Sequence, residues 1–201
     1  MERTGALLDR TALRRALATL LDKVAATHTT IAYRLIGTAA ALLHGVDLPA
    51  GDVDILVKRR EDVDAFSAAL SGCLCLVAPV LLHGGLQYFA RYDVGGVEVE
   101  FSTIEVEPPS DLFEASGPGP WRYYAELPCG HHRVPTVALE LRLLTELQRD
   151  RPDRYGPILD YLATHGCDLA LVRRGLEASE MADSLRQEVW ARLTAAANPT
   201  P

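Results

Sequence analysis

The sequence predicts an α+β fold: a small mixed β-sheet flanked by helices, with a helical C-terminal part. Three observations predict it. The opening segment spaces its apolar residues at the helical period, a glycine-punctuated middle is rich in strand formers, and four successive segments near the C-terminus return to the helical period.

Taken in order, residues 7–26 put Leu13, Leu17, Leu20, Leu21 and Val24 on one face, with polar residues between them, as an amphipathic helix requires. Residues 32–36 (AYRLI) read as a buried strand that stops at Gly37. Residues 39–44 make a short helix closed by Gly45, and Leu48-Pro49-Ala50-Gly51 is a loop. Residues 53–57 are apolar and β-branched, a strand with Asp52 at its mouth. Residues 61–70 form a helix packed through Val63, Phe66 and Leu70. Residues 73–82 and 86–92 are apolar strand runs separated by Gly84-Gly85. Gly95-Gly96 turns a hairpin into residues 97–102, where Val97, Val99 and Phe101 alternate with Glu98, Glu100 and Ser102. Residues 105–120 hold Pro108, Pro109, Gly117, Pro118, Gly119 and Pro120, and predict a loop around a short helix at 111–115. Residues 136–149, 153–165, 168–178 and 180–196 read as helices, and the tail 195–201 as frayed. The expected division is a core over residues 1–135 and a C-terminal helical region over 136–201 packed on it.

A net charge of −7 argues against a broad nucleic-acid surface. The first ten residues lack the apolar core of a signal peptide, and no apolar run approaches the roughly 18–20 residues a membrane span needs, so the expected setting is soluble and cytoplasmic. The four cysteines, Cys73, Cys75, Cys129 and Cys167, form no CxxC pair and no evident disulfide framework. A metal site built from Cys73, Cys75, His131 and His132 is weighed against buried reduced thiols and a surface histidine pair, and the second reading is preferred.

Three features carry chemistry. Ile36-Gly37-Thr38 runs a strand into a helix through glycine, which lets backbone N–H groups approach an anion while Thr38 adds a hydroxyl. Asp52 and Asp54, two apart on a strand, point their carboxylates to one face. Such a pair repels and is tolerated when exposed or when a cation holds it, and oxygen-only ligation suits Mg²⁺. Glu100 offers a third carboxylate if its strand neighbours that of Asp54, with Glu98 on the same face as its rival. A phosphate-cradling turn and three carboxylates suit metal-assisted phosphoryl transfer.

At these residues the chain resembles the DNA polymerase β-like nucleotidyltransferase superfamily. Leu35-Ile36-Gly37-Thr38-Ala39-Ala40, His44-Gly45 and Asp52-Val53-Asp54-Ile55-Leu56-Val57 are similar to its signature, nearest in flavour to the small prokaryotic group that includes AbiEii-type toxins and minimal nucleotidyltransferases. Gly96-Val97-Glu98-Val99-Glu100-Phe101 resembles the third-carboxylate strand, and residues 135–144 the helix behind it, with Arg142 on a slot that often meets the triphosphate. The resemblance implies a nucleotidyltransferase core over residues 1–135, transfer of an NMP from an NTP to a hydroxyl acceptor, and Mg²⁺ on Asp52, Asp54 and Glu100. It implies that Gly37 and Thr38 hold the β/γ-phosphates, that Arg142 counters their charge, and that Glu100 doubles as the base. The chain departs from the pattern in three places: no basic residue precedes Asp52, Arg151-Pro152-Asp153-Arg154 replaces a common Lys-Asp pair, and the third acid is Glu. The acceptor stays open between a small molecule such as an aminoglycoside and a protein hydroxyl, with an RNA end disfavoured by the net charge. The oligomeric state is not legible.

Two other readings compete. One keeps the fold as a catalytically degenerate nucleotide-binding module. The other is a toxin–antitoxin interaction module that docks a partner through Leu169, Val172, Leu176, Leu185, Val189 and Trp190; packing of those residues on the chain's own core is preferred.

Overall fold

The computed structural model describes residues 7–106, 108 and 110–197 of the chain. Pro109 and the last four residues of the expected frayed tail lie outside them.

Helix α1 (Arg10–Ala26) starts where the Asp9 carboxylate accepts the Ala12 N–H, three residues later than the apolar spacing begins. Its buried face is Leu13, Leu17, Leu20, Leu21 and Val24, with Ala16. Strand β1 (Tyr33–Ile36) runs directly into α2 (Gly37–His44), which ends at Gly45 with φ 118. Arg10 donates to the carbonyls of Leu42 and Gly45, so the end of α2 is capped by α1. Strand β2 (Val53–Val57) and helix α3 (Arg60–Ala69) follow. Then come the meander strands β3 (Leu74–Leu82), β4 (Gln87–Asp93) and β5 (Glu98–Ser102), with a 3₁₀ turn at His83–Gly85.

The segment after β5 differs from expectation. No helix forms at 111–115; a single turn, α4 (Gly119–Arg122), forms instead. The loop folds back on itself so tightly that a Cβ on Gly119 would press on the carbonyl oxygens of Asp111 and Phe113. The Asp111 carboxylate is drawn away to Arg122 and Tyr123 rather than serving a helix start. Beyond α4 lies a hairpin that the apolar periodicity does not flag, β6 (Tyr124–Cys129) and β7 (His132–Val137). Pro128 lies on β6, the edge strand, where sheets tolerate proline, and Pro135 lies on β7 just before its pairing of Thr136 with Leu35 of β1. The helix expected from 136 therefore begins later, as α5 (Leu139–Gln148), because Thr136 and Val137 still belong to β7. Helices α6 (Pro152–His165), α7 (Leu169–Ala178) and α8 (Asp183–Ala197) complete the chain.

The seven strands form one mixed sheet in the order β3-β4-β5-β2-β1-β7-β6. β1 runs antiparallel to β2 and parallel to β7, and β2 runs parallel to β5. One core lies between the sheet and helices α1 to α3; Phe66 stacks on Phe101 there with ring centroids 4.4 Å apart. A second core gathers α5 to α8 around Leu143, Leu144, Ile158 and Val172. α2 joins the two, giving Ala39, Ala40, Leu42 and Leu43 to the first and Ala41 to the second. Val172, Leu176 and Val189 are buried in the second core, with Leu169, Leu185 and Trp190 packed against it, so the apolar faces of the last two helices are met by the chain's own residues. Strand β3 is an edge; Leu74, Leu76, Val80 and Leu81 are exposed, and Pro79 falls within the register shift between Val77 and Val80. No described helix is long and apolar enough to cross a membrane.

Candidate active site

The register of three strands builds the acidic wall of the site. Asp54 pairs with Glu100 across the parallel β2–β5 ladder, and with Ile36 across the antiparallel β1–β2 ladder. Side chains paired in register share a face, so Asp54 and Glu100 stand side by side. Asp52 joins them from the residue before β2. Each of the three offers one carboxylate oxygen, all within 4.8 Å of one another. Glu98 also lines the cleft but lies two pairs further along β5, opposite Asp93. Arg91 on β4 reaches both glutamates: its guanidinium is 2.6 Å from Glu100 and 3.6 Å from Glu98.

Gly37 lies at the junction where β1 becomes α2. Its φ is +71, and a Cβ there would fall on the Asp54 carboxylate. Both facts demand glycine, so the residue is fixed by the acidic wall itself. Thr38 follows in the first turn of α2, and its hydroxyl accepts from Arg154 at 2.9 Å and Arg142 at 3.4 Å.

Those arginines belong to the opposite wall. Arg142 on α5 is almost fully buried, with its guanidinium ion-paired to Glu114 and Glu146. Glu146, fully buried, also takes Arg151 at 2.8 Å and approaches Arg149 at 3.8 Å. Arg154 is a third exposed and reaches across to Thr38. Four arginines against two carboxylates leave this wall cationic. The two walls enclose a cleft of about 780 Å³, of the size that small-molecule sites take.

The electrostatics of the walls differ. Burial pushes the Asp54 carboxyl up to about 7, and the charges of Asp52, Glu100 and Glu114 push the same way. Burial also raises Glu114, against the pull of Arg142. His44, in the His-Gly step that resembles the signature, is structural: its Nε2 lies 2.9 Å from the Val137 carbonyl, its carbonyl accepts from Tyr161, and burial lowers its pKa, so it stays neutral and ties α2 to β7.

All six residues singled out from the sequence, Gly37, Thr38, Asp52, Asp54, Glu100 and Arg142, line this one cleft. Glu114, Arg149, Arg151 and Arg154 also line it and carry no mark in the apolar periodicity. The run Arg149-Asp150-Arg151-Pro152-Asp153-Arg154, at a helix boundary just after the Arg142 helix, is the signal that points to three of them. Cys73 and Cys75 do not meet His131 and His132: the thiols sit at the β3 edge of the sheet and the histidines at the opposite, β6–β7 edge. Cys75 is exposed, contrary to the expected buried thiol.

No protein-family model and no curated protein matches the chain. Solved structures do. A candidate nucleotidyltransferase from Thermotoga maritima superposes with a TM-score of 0.55 at 17% identity, covering 78% of this chain and 96% of that one. An antigenic nucleotidyltransferase-like protein from Paracoccidioides brasiliensis superposes with a TM-score of 0.53 at 14% identity, covering 94% of this chain and 95% of that one. The chain has the nucleotidyltransferase fold.

Proposed function

We propose that this protein is a metal-dependent nucleotidyltransferase that moves an NMP from an NTP to a hydroxyl acceptor. One observation carries the reading: three carboxylates converge on a point that faces a cluster of arginines across a single cleft, in this fold. An anionic triphosphate fits the arginine wall, and the carboxylates fit a hard cation. The donor set is oxygen alone, and a divalent ion would offset both the burial that chiefly raises Asp54 and the like charges that add to it, so Asp52, Asp54 and Glu100 fit Mg²⁺. When bound there, Mg²⁺ would supply charge neutralisation at the phosphates and a lower barrier to displacement.

The chain's own residues do the rest. Arg154 and the Thr38 hydroxyl hold the β- and γ-phosphates at the start of α2, and Arg142 and Arg151, aimed by Glu146, add charge behind them. The acceptor hydroxyl gives its proton to Glu100. Its oxygen forms a bond to the α-phosphorus, the α–β bridging P–O bond breaks, and pyrophosphate leaves toward the arginines. With a net charge of −7 the favoured acceptors are a cationic small molecule, such as an aminoglycoside, or a protein hydroxyl.

The test is incubation with each α-labelled NTP and Mg²⁺, against an aminoglycoside panel and a cell lysate, with and without chelator. Label transfer that needs Mg²⁺ supports the reading. A second reading, nucleotide binding without turnover, rests on Arg91 and Glu114, which already neutralise Glu100 and Arg142 within the chain. Calorimetric NTP binding with no transfer to any acceptor would favour it.

A further inference from the structure

A second convergence of metal-ligating side chains lies at the other end of the sheet. β7 runs parallel to β1, and β1 delivers Gly37 to the cleft from its C-terminal end. The N-terminal end of β7, where His132 sits, is therefore directed away from the cleft. There Cys129 pairs with His132, so Gly130 and His131 make a two-residue turn. Gly130 takes φ 62 in its first position, the pattern of a type II′ turn. The turn holds the two adjacent histidine rings together, with centroids 3.9 Å apart. Both rings aim Nε2 at one oxygen of Asp22 on α1: His132 Nε2 is 2.8 Å from Oδ1, and His131 Nε2 is 3.1 Å from it.

We propose that Asp22, His131 and His132 form a binding site for a borderline divalent transition metal of the Zn²⁺ type. The three donor atoms lie within 4.8 Å of one another, and the two imidazole nitrogens are 2.8 and 3.1 Å from the Asp22 oxygen, so small side-chain movements let one ion gather all three. Two imidazoles and one carboxylate suit Zn²⁺, Co²⁺ or Ni²⁺, whereas Mg²⁺ prefers the oxygen-only cluster of the cleft. The donors come from elements that the fold fixes independently. Asp22 is on a helix anchored by its buried face, and the hairpin is tied to that helix by the Cys129 thiol, which donates to the Arg14 carbonyl at 3.3 Å. His132 is only 16% exposed and so is held in place, while His131 at 74% and Asp22 at 56% leave the ion an entry path and a coordination position for water. Binding clamps α1 to the sheet edge across 110 residues of chain.

The experiment uses the untagged full chain, stripped of metal and kept in excess Mg²⁺ so that the oxygen cluster is satisfied. Zn²⁺ is titrated by calorimetry, Co²⁺ by visible absorption, and melting temperature is followed with each. We expect one Zn²⁺ per chain, a nitrogen-ligated Co²⁺ spectrum, and a melting temperature that rises with Zn²⁺. Asp22→Asn and His132→Gln should each weaken binding at least about tenfold, since even supporting partners of metal ligands cost that much. His131→Gln, at an exposed turn position, folds regardless and should do the same. Equal Zn²⁺ affinity in wild type and His131→Gln, or a Co²⁺ spectrum unchanged by that substitution, overturns the site.

Discussion

The two walls of the cleft are built from opposite materials. The acidic wall stands on strands, and its three carboxylates are set side by side by ladder register, with Arg91 their neighbour on the next strand. The cationic wall stands on helices and a loop, and its arginines come already paired with Glu114 and Glu146, both buried. The difference teaches which charges are in deficit. In the acidic wall burial raises Asp54, with the charges of Asp52, Glu100 and Glu114 adding to it; in the cationic wall the buried glutamates are matched by arginines, which outnumber them, so removing Arg142 strands Glu114. Taking a charge out of the first should stabilise the metal-free protein, and taking one out of the second should damage it.

The largest expected effect breaks the matched wall. Arg142→Ala leaves Glu114 without its guanidinium and Glu146 with Arg151 and the more distant Arg149. Removing one partner of a buried ion pair costs about 3–5 kcal/mol. Chemical denaturation should register that loss, and an Arg142→Ala protein as stable as wild type would mean the wall is not matched as described.

Gly37→Ala tests the acidic wall from the backbone side. The substitution meets both a positive φ and the Asp54 carboxylate. A strained backbone position costs about 1–3 kcal/mol, and the clash puts the expected loss at the upper end. A melting curve unchanged from wild type would contradict the close approach of Asp54.

Arg154 separates ligand contact from scaffold. It is partly exposed and touches Thr38 and Asp153 rather than the buried glutamates. On the proposed function, Arg154→Ala should weaken NTP binding by about 1.5–3 kcal/mol, the range for charged hydrogen bonds, while the melting temperature hardly moves. Reduced stability with unchanged affinity would return Arg154 to a scaffold role.

The walls were also unequally legible in the sequence. Asp52, Asp54 and Glu100 could be found because a strand repeats every two residues, so an Asp-Val-Asp step and an alternating Val-Glu-Val-Glu-Phe run declare their faces locally. What the alternation could not decide was Glu98 against Glu100; that needed the β2–β5 register. Arg142 was legible only through the resemblance, which sets it on a slot that often meets the triphosphate. Its partner Glu114 was out of reach, because it sits in a Pro- and Gly-rich loop that folds back on itself at Gly119 and follows no period. The β6–β7 hairpin went unassigned for a related reason: Pro128 and Pro135 interrupt its strand pattern, and the pairing of β7 to β1 joins residues about a hundred positions apart.

The smallest effect sharpens the comparison most, because its sign is opposite to the others. Asp54→Asn removes a carboxyl whose folded pKa is about 7, raised from its ordinary 3.8 chiefly by burial. Between those values the folded protein holds a proton that the unfolded chain has released. Stability from this group is therefore complete below about pH 4 and is lost as pH rises through 7, since stability falls wherever the folded state binds more protons. Asparagine has no such proton to lose. At pH 8 without metal, Asp54→Asn should be more stable than wild type by about 1–2 kcal/mol, a figure reduced from the full shift because solvent screens charges at the cleft mouth. At pH 4 that advantage should vanish. Saturating Mg²⁺ should also abolish it at pH 8, by stabilising wild type through its bound carboxylates and leaving the variant behind. Urea melts at the two pH values, with and without Mg²⁺, measure all four corners. A variant less stable than wild type at pH 8 in chelator would mean that Asp54 is held by compensating partners, and that the acidic wall, like the basic one, is already matched.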